Sequence, residues 1–273
     1  MNPLLQCKPT TLPLFIAGVL ACFGILPKAQ AVVPPPDGGY PNFTTSAGDH
    51  ALQALTSGVG NTALGTFSLF SATTGNFNTA VGAGALDLNT ADSNTATGAA
   101  ALLFNTTGTE NTANGTAALE FNDTGEQNTA NGAFALFSNI EGIRNTAIGS
   151  GALLNNTSDS NTAIGADALS TNTTGGLNVA IGNIALRDNE GNGNTAIGVG
   201  ALFQATGGFN TAVGRLAGQS ITTGNNIIAI GVQVDGISTV FGEVDDSCYI
   251  DNIFDAELTW APPRLWRSTP MES

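Results

Sequence analysis

The hydrophobic and polar positions of this chain follow a short unit that recurs every 16 or 17 residues. Nine of eleven units carry the pattern Asn-Thr-Ala-x-Gly unchanged, one has Val179 in place of threonine, and one begins with Ile227-Ile228; x is aliphatic in eight of the eleven. The closing glycines are Gly65, Gly82, Gly98, Gly115, Gly132, Gly149, Gly165, Gly182, Gly198, Gly214 and Gly231. An Ala-Leu pair follows most of them three and four residues later, and turn-forming residues then lead to the next asparagine. A fixed period of this length is typical of solenoid proteins.

One unit is too short for two helices, and its glycine and asparagine content disfavours helix. It has room for two strands of about five residues and two turns. The repeated glycine suits a corner with positive φ or a close backbone approach. We therefore predict an all-β protein, a parallel β-solenoid of about 11–12 coils over residues 48–240, beginning with a degenerate unit at Gly48. Asparagines stacked in successive coils should form a hydrogen-bonded ladder.

The alternation within Asn-Thr-Ala-x-Gly places Thr and x on one side of a strand and Asn, Ala and Gly on the other. An interior filled by alanine and one aliphatic residue per strand buries little apolar area, so a lone chain would be marginally stable. The remaining leucine and isoleucine stripes favour symmetric self-association. We expect the threonines to form an interior or interchain ladder; the alternative is a flat ice-binding face. These threonines are Thr62, Thr79, Thr95, Thr112, Thr129, Thr146 and Thr162.

The first 31 residues are predicted to be a secretory signal peptide, with an apolar run from Leu12 to Leu26 and a small-x-small cleavage site at residues 29–31. An alternative is that residues 19–22 form a lipobox with Cys22 as a lipidated N-terminus. Both alternatives export the protein. Residues 32–47 are predicted to be a linker leading into the roll, residues 241–254 an exit segment, and residues 255–273 an irregular tail. That tail is either a truncated end or a short docking segment.

The net negative charge of the chain argues against two classes of binding partner, nucleic acids and anionic lipids. All 21 acidic residues follow residue 31, where only five arginines oppose them. Such a surface repels nucleic acid and anionic lipid. Cys248 is the only cysteine beyond the predicted leader, so no intrachain disulfide framework is expected.

No residue pattern indicates catalysis, a cofactor, a metal or a small-molecule substrate. His50, the only histidine, is expected to be a solvated surface residue, because a zinc site needs several ligands. Cys248 is expected to be a buried or junctional residue, or a link between chains. Gly82-Ala83-Gly84 is predicted to be a turn, because no phosphate-loop lysine follows it. Acidic residues keep no fixed place in the unit, which argues against repeated calcium sites.

The repeated units resemble the Asn-Ser-Val-Ala-Ile-Gly repeats of YadA-like head domains in trimeric autotransporter adhesins. The most similar copies are 145–149, 161–165, 194–198 and 227–231. The resemblance covers about residues 48–235 and implies a left-handed parallel β-roll, a homotrimer and attachment to a host matrix protein or surface glycan. It also implies a secreted or bacterial cell-surface location associated with the outer membrane. The alternative function is a structural spacer or fibre shaft without a ligand.

The sequence departs from that family in two ways. Its unit is longer than the family's usual repeat, and no coiled coil or membrane barrel follows the repeats. Residues 246–254 resemble a segment that in related multi-module proteins leads into a self-cleaving chaperone domain of the tail-fibre type.

Overall fold

A computed structural model describes residues 41–236 and 244–251. Its 13 short strands form one parallel sheet in which each strand pairs with its neighbours in chain order. A short 3-10 turn, Pro41–Phe43, precedes the first strand. Strands β1 to β13 are Thr45–Ala47, Thr62–Leu64, Thr79–Val81, Thr95–Thr97, Thr112–Asn114, Thr129–Asn131, Thr146–Ile148, Thr162–Ile164, Val179–Ile181, Thr195–Ile197, Thr211–Val213, Ile228–Ile230 and Cys248–Ile250. Parallel strands that pair only with their sequence neighbours can be connected only by successive coils. The structure thus confirms the predicted all-β solenoid.

The sheet includes residues on both sides of the predicted repeat region. Strand β1 lies in the predicted linker, and β13 lies in the predicted exit segment. The predicted signal peptide and irregular tail lie outside the described residues.

The strands are in register, so equivalent residues stack in columns. Ala113 of β5 pairs with Ala130 of β6, and the flanking threonines and asparagines pair in the same way. Parallel strands lie about 4.8 Å apart, so the 13 strands extend over about 58 Å.

Small and aliphatic side chains fill the interior in three columns. The first column is the strand alanine, and the other two are the alanine and the leucine of the Ala-Leu pair; Ala130, Ala135 and Leu136 illustrate one coil and have no exposed surface. The other fully buried leucines are Leu69, Leu86, Leu102, Leu119, Leu153, Leu169, Leu186 and Leu202. The predicted leucine stripe on an outer face is therefore wrong, because leucine rather than residue x fills the interior.

The second predicted strand of each coil is absent from the described residues. The leucine of each Ala-Leu pair has a positive φ, for example 53° at Leu119, which is incompatible with an extended strand. Stacking is maintained by isolated backbone hydrogen bonds between coils, such as Leu119 N–H to Ala135 O at 3.0 Å. The second side of each coil is a series of turns held in register, because a coil this small must bend twice within a few residues.

The closing glycines are required because the backbone there has a positive φ and because the next coil leaves no room for a Cβ atom. Gly132 has a φ of 146°, and a Cβ built there would lie 2.5 Å from the carbonyl oxygen of Gly149 in the next coil. Only glycine adopts this backbone region without strain. This column of glycines lets consecutive coils approach at the corner after each strand.

The asparagine before each strand threonine forms the predicted ladder. Its side-chain oxygen accepts a hydrogen bond from the backbone N–H of the equivalent residue one coil later; the N–H of Asn128, for example, donates to Asn111 Oδ1 at 3.0 Å. Its side-chain NH₂ donates to a turn carbonyl, as from Asn111 to Gly125 O at 2.8 Å. The chain of such bonds is continuous from Asn61 to Ile227. These bonds satisfy buried backbone groups that the strands leave unpaired.

A second ladder of buried asparagines, three residues after seven of the nine buried leucines, joins side chain to side chain. Asn122 donates to Asn105 Oδ1 at 2.7 Å, and Asn139 donates to Asn122 Oδ1 at 2.9 Å. Its members are Asn89, Asn105, Asn122, Asn139, Asn156, Asn172 and Asn189. Coils of 16 and 17 residues differ only in the turn between the two ladders, so the variation in period leaves the rest of the coil unchanged.

Candidate functional site

The outer face of the sheet carries a column of partly exposed aliphatic side chains. The strand alanines point inwards, so residue x and threonine point outwards together, and the alternation correctly predicts that they share the side opposite to alanine. Seven aliphatic residues in this column are 36–40% exposed: Leu64, Ile148, Ile164, Ile181, Ile197, Val213 and Ile230. A flat row of this kind is an apolar surface of the sort that protein interfaces cover.

Polar residues divide the aliphatic column into two sections. Thr97, Asn114 and Asn131 occupy position x in three consecutive coils and are exposed. Self-association through this face would therefore depend mainly on the long section from Ile148 to Ile230.

The threonine column lies on the same outer face. Thr112 and Thr129 are exposed, and Thr146 and Thr162 are partly exposed. The predicted interior ladder is wrong, since the strand alanine occupies the inward position. An interchain ladder and an ice-binding face both stay predictions.

A second apolar surface lies on the turn side of the middle coils, and we call it the aromatic groove. It consists of two adjoining depressions that share Ser138. Its apolar lining residues are Leu88, Phe104, Phe121, Phe134, Phe137, Ile140 and Leu154. The rings of Phe104 and Phe121 stack at 5.1 Å, and Phe137 meets Phe121 edge to face at 4.9 Å. The groove thus presents aromatic edges and aliphatic side chains in a row parallel to the stack of coils.

The polar lining of the groove includes two carboxylates, and none of its described lining residues is basic. Asp123 lies in one depression, where it accepts a hydrogen bond from the hydroxyl of Thr106, and Asp167 lies in the other. Arg144 is directed elsewhere and donates to Gln127 at 3.2 Å. The groove therefore combines apolar surface with negative charge.

Two further carboxylates occupy a column that is apolar in neighbouring coils. Asp87 and Glu120 each lie five residues after their closing glycine, where Phe137 and Leu154 lie in later coils. Burial raises the pKa of both carboxyl groups above their ordinary values. Oδ1 of Asp87 is buried and has no hydrogen-bond partner, so its charge is poorly solvated in the folded protein.

An ion pair lies beyond the groove. The Arg187 guanidinium donates to both carboxylate oxygens of Asp188, at 2.9 and 2.7 Å, and lies 4.0 Å from the centre of the Phe203 ring. These hydrogen bonds hold the pKa of Asp188 below its usual range. Because both side chains are more than 30% exposed, the pair adds little stability.

The residues singled out in the sequence do not converge on a site. Exposed His50 stacks on Phe67 at 5.0 Å, hydrogen-bonds Gln53 and lies 3.6 Å from Asp49, as a surface residue would. Cys248 is exposed at the start of β13, so it is junctional and not buried. Gly84 lies in a turn, in agreement with its sequence interpretation. Within the described residues, no group of three or more His, Cys, Asp or Glu could hold a metal ion.

No family model, curated protein or solved structure matches the chain. Across residues 41–236 and 244–251, no helix has the length and apolar character needed to span a bilayer.

The aromatic groove was not anticipated from the sequence. Its signal is a cluster of aromatic residues five and six residues after the closing glycines of the middle units, as at Phe104, Phe121 and Phe137. Because the leucine just before these positions is buried, only the sharp turn at its positive φ shows that the next side chains point outwards.

Proposed function

We propose that the protein is an exported, non-enzymatic head module that self-associates as a homotrimer and attaches cells to a matrix protein or surface glycan. The observation that carries this proposal is the aliphatic column on the outer face of the sheet. Its long section, from Ile148 to Ile230, spans six consecutive strands and is left partly exposed in a single chain. A homotrimer would cover this column if its three chains turned the same face towards a common threefold axis.

The remaining features support a binding module. The aromatic groove contains carboxylates and serine hydroxyls but no histidine or lysine among its described lining residues, and His50 lies exposed beside Asp49, so we propose no catalytic role for the protein. Repeated coils present the same side chains in a row, so an adhesive surface would consist of many weak and equivalent contacts. A secreted or outer-membrane-associated location rests on the predicted leader and is part of the proposal.

Light scattering after size-exclusion chromatography tests the assembly on the chain from residue 32 onwards. We expect the mass of a trimer. The double variant Ile164→Ser/Ile181→Ser should dissociate it, whereas Asn114→Ser, at the same strand position in the polar section, should not. A stable and fully folded monomer at all concentrations would contradict the proposal.

A structural spacer is the second candidate, favoured by the uniform register of the coils. A stack of 13 strands sets a distance of about 58 Å without needing any ligand. Immobilised matrix proteins and glycans distinguish the two candidates. Saturable binding that the wild-type chain shows and a heat-unfolded sample lacks would support the head module, and absence of binding to every surface would support the spacer.

A further inference from the structure

Within residues 41–236 and 244–251, no segment covers the apolar surface of the aromatic groove and no basic side chain opposes its charge. Phe121 is 41% exposed, Phe134 45% and Ile140 52%. Asp123 and Asp167 line the same groove, and no basic side chain of the described residues lies in it. A matching occupant carries aromatic or aliphatic side chains together with positive charge.

Residues 260–267 of this chain have that chemistry. Their sequence is Trp-Ala-Pro-Pro-Arg-Leu-Trp-Arg, which contains the only two tryptophans of the protein and two of its seven basic residues. The segment contains no acidic residue, although the whole chain carries a net charge of −14. Its two consecutive prolines disfavour helix and favour an extended backbone.

The lengths are compatible within a single chain. The groove runs from the coil that follows β3 to the coil that follows β8, which is five strand spacings or about 24 Å. Eight extended residues cover about 26 Å. Trp260 lies nine residues beyond Asp251, a reach of about 30 Å, and the stack from β13 back to β8 is again about 24 Å.

We infer that residues 260–267 dock in the aromatic groove of their own chain. Trp260 enters at the Asp167 end, and Trp266 packs against the phenylalanine edges further along the groove. The two arginines compensate the acidic lining, in which the described residues place no basic side chain. This inference does not depend on the proposed function, since the groove and the aliphatic column are different surfaces.

Tryptophan fluorescence of the full chain tests the docking directly, because both tryptophans belong to the segment. A synthetic peptide of residues 252–273 provides the undocked reference. The emission maximum of the folded protein should lie at shorter wavelength than that of the peptide, and acrylamide should quench it less. Both differences should disappear in urea. Emission and quenching equal to those of the peptide under native conditions would overturn the inference.

Variants locate the binding surface. Phe121→Ala and Asp123→Lys should each shift the emission towards that of the peptide, and Asp123→Lys changes a surface charge without removing apolar packing. Ile164→Ser, on the outer face of the sheet, is the matched control and should leave the emission unchanged. An equal shift in the control, or none in either groove variant, would contradict docking in the groove.

Dilution distinguishes the same chain from a neighbouring one. The blue-shifted emission should persist unchanged as the protein is diluted below the concentration at which light scattering detects oligomers. Loss of the shift on dilution would overturn docking within one chain. A trimer that dissociates in Ile164→Ser/Ile181→Ser while the emission stays shifted would separate this inference from the proposed function.

Discussion

The side-chain Oδ1 of Asn128 accepts the backbone N–H of Asn145, one coil further along, at 2.9 Å. The same side chain donates through Nδ2 to the carbonyl oxygen of Gly142 at 2.8 Å. Asn128 has no exposed surface, so water cannot replace either bond. One buried amide therefore holds two parts of the next coil in place.

Replacing Asn128 with alanine should lower the free energy of unfolding by about 1–3 kcal/mol, because a buried N–H and a buried carbonyl lose their partner. Urea denaturation followed by circular dichroism measures the change. Asn114→Ala is the matched control, since Asn114 lies on the exposed face of the sheet. Equal destabilisation by both variants would show that the ladder contributes nothing specific.

Gly132→Ala should destabilise the protein strongly. The φ of 146° alone costs an alanine about 1–3 kcal/mol, and its Cβ would lie 2.5 Å from Gly149 O, so the two coils must separate. Thermal unfolding measures the loss. Gly84→Ala is a stringent control: its φ is 67°, and the same position in later coils holds Ala100 and Ala117 with φ values of 58° and 55°. A Gly132→Ala protein as stable as Gly84→Ala would contradict the steric argument.

Asp87→Leu should stabilise the protein at neutral pH by about 1 kcal/mol, because it removes a buried carboxylate oxygen without a partner. Leu103 holds the equivalent position one coil later, so a leucine side chain fits this column. Urea denaturation at pH 7 measures the gain, with Glu126→Gln, an exposed acidic position, as the control.

The pH dependence of this gain has a defined sign. Burial raises the pKa of Asp87 above its ordinary 3.8, so the folded chain binds this proton at a higher pH than the unfolded chain does. Protonation of this carboxyl group therefore stabilises the folded chain at low pH. That contribution to the free energy of unfolding disappears as the pH rises from 3.8 through the folded pKa. The advantage of Asp87→Leu should therefore be largest at neutral pH and should shrink in acid. An advantage that grows in acid would contradict the raised pKa.

Leu119→Ala should cost about 2–5 kcal/mol, because it leaves a cavity in an interior that is only a few side chains wide. Phe121, two residues later, points into the aromatic groove, and Phe121→Ala should cost only about 1 kcal/mol, the contribution of its ring contacts. The ratio of the two losses, measured by denaturant unfolding, checks the inward and outward assignments. Similar losses would place Phe121 in the core.

The period was sufficient to predict the stacked coils, the inward alanine at Ala130 and the asparagine ladder. It could not show which half of a coil is a strand. The Ala-Leu half has the same apolar character as a strand, and the positive φ of Leu119 results from closing a small loop, which no local propensity indicates. For that reason leucine was expected on an outer face and is instead the main interior residue.

The sequence predicted part of the outer face of the sheet but not the aromatic groove. Alternation predicted that Ile164 and Thr162 share the side of the strand opposite to alanine, because a period of two is a local property of any strand, but it did not show that this side is the outer one. The aromatic groove depends on turn geometry that brings Phe104, Phe121 and Phe137 together from three separate coils. The spacing of these phenylalanines along the sequence therefore predicts their contact only when the conformation of the turn is already known.

In the described coils of 16 and 17 residues, the two asparagine ladders enclose the part whose length varies. The turn from Asn89 to Asn94 is one residue shorter than that from Asn105 to Asn111, yet the flanking columns stay continuous. Gene duplication or loss of a whole unit would consequently alter the length of the stack and leave its cross-section intact. A lineage could thus adjust the reach of this protein in steps of about 4.8 Å without redesigning a core.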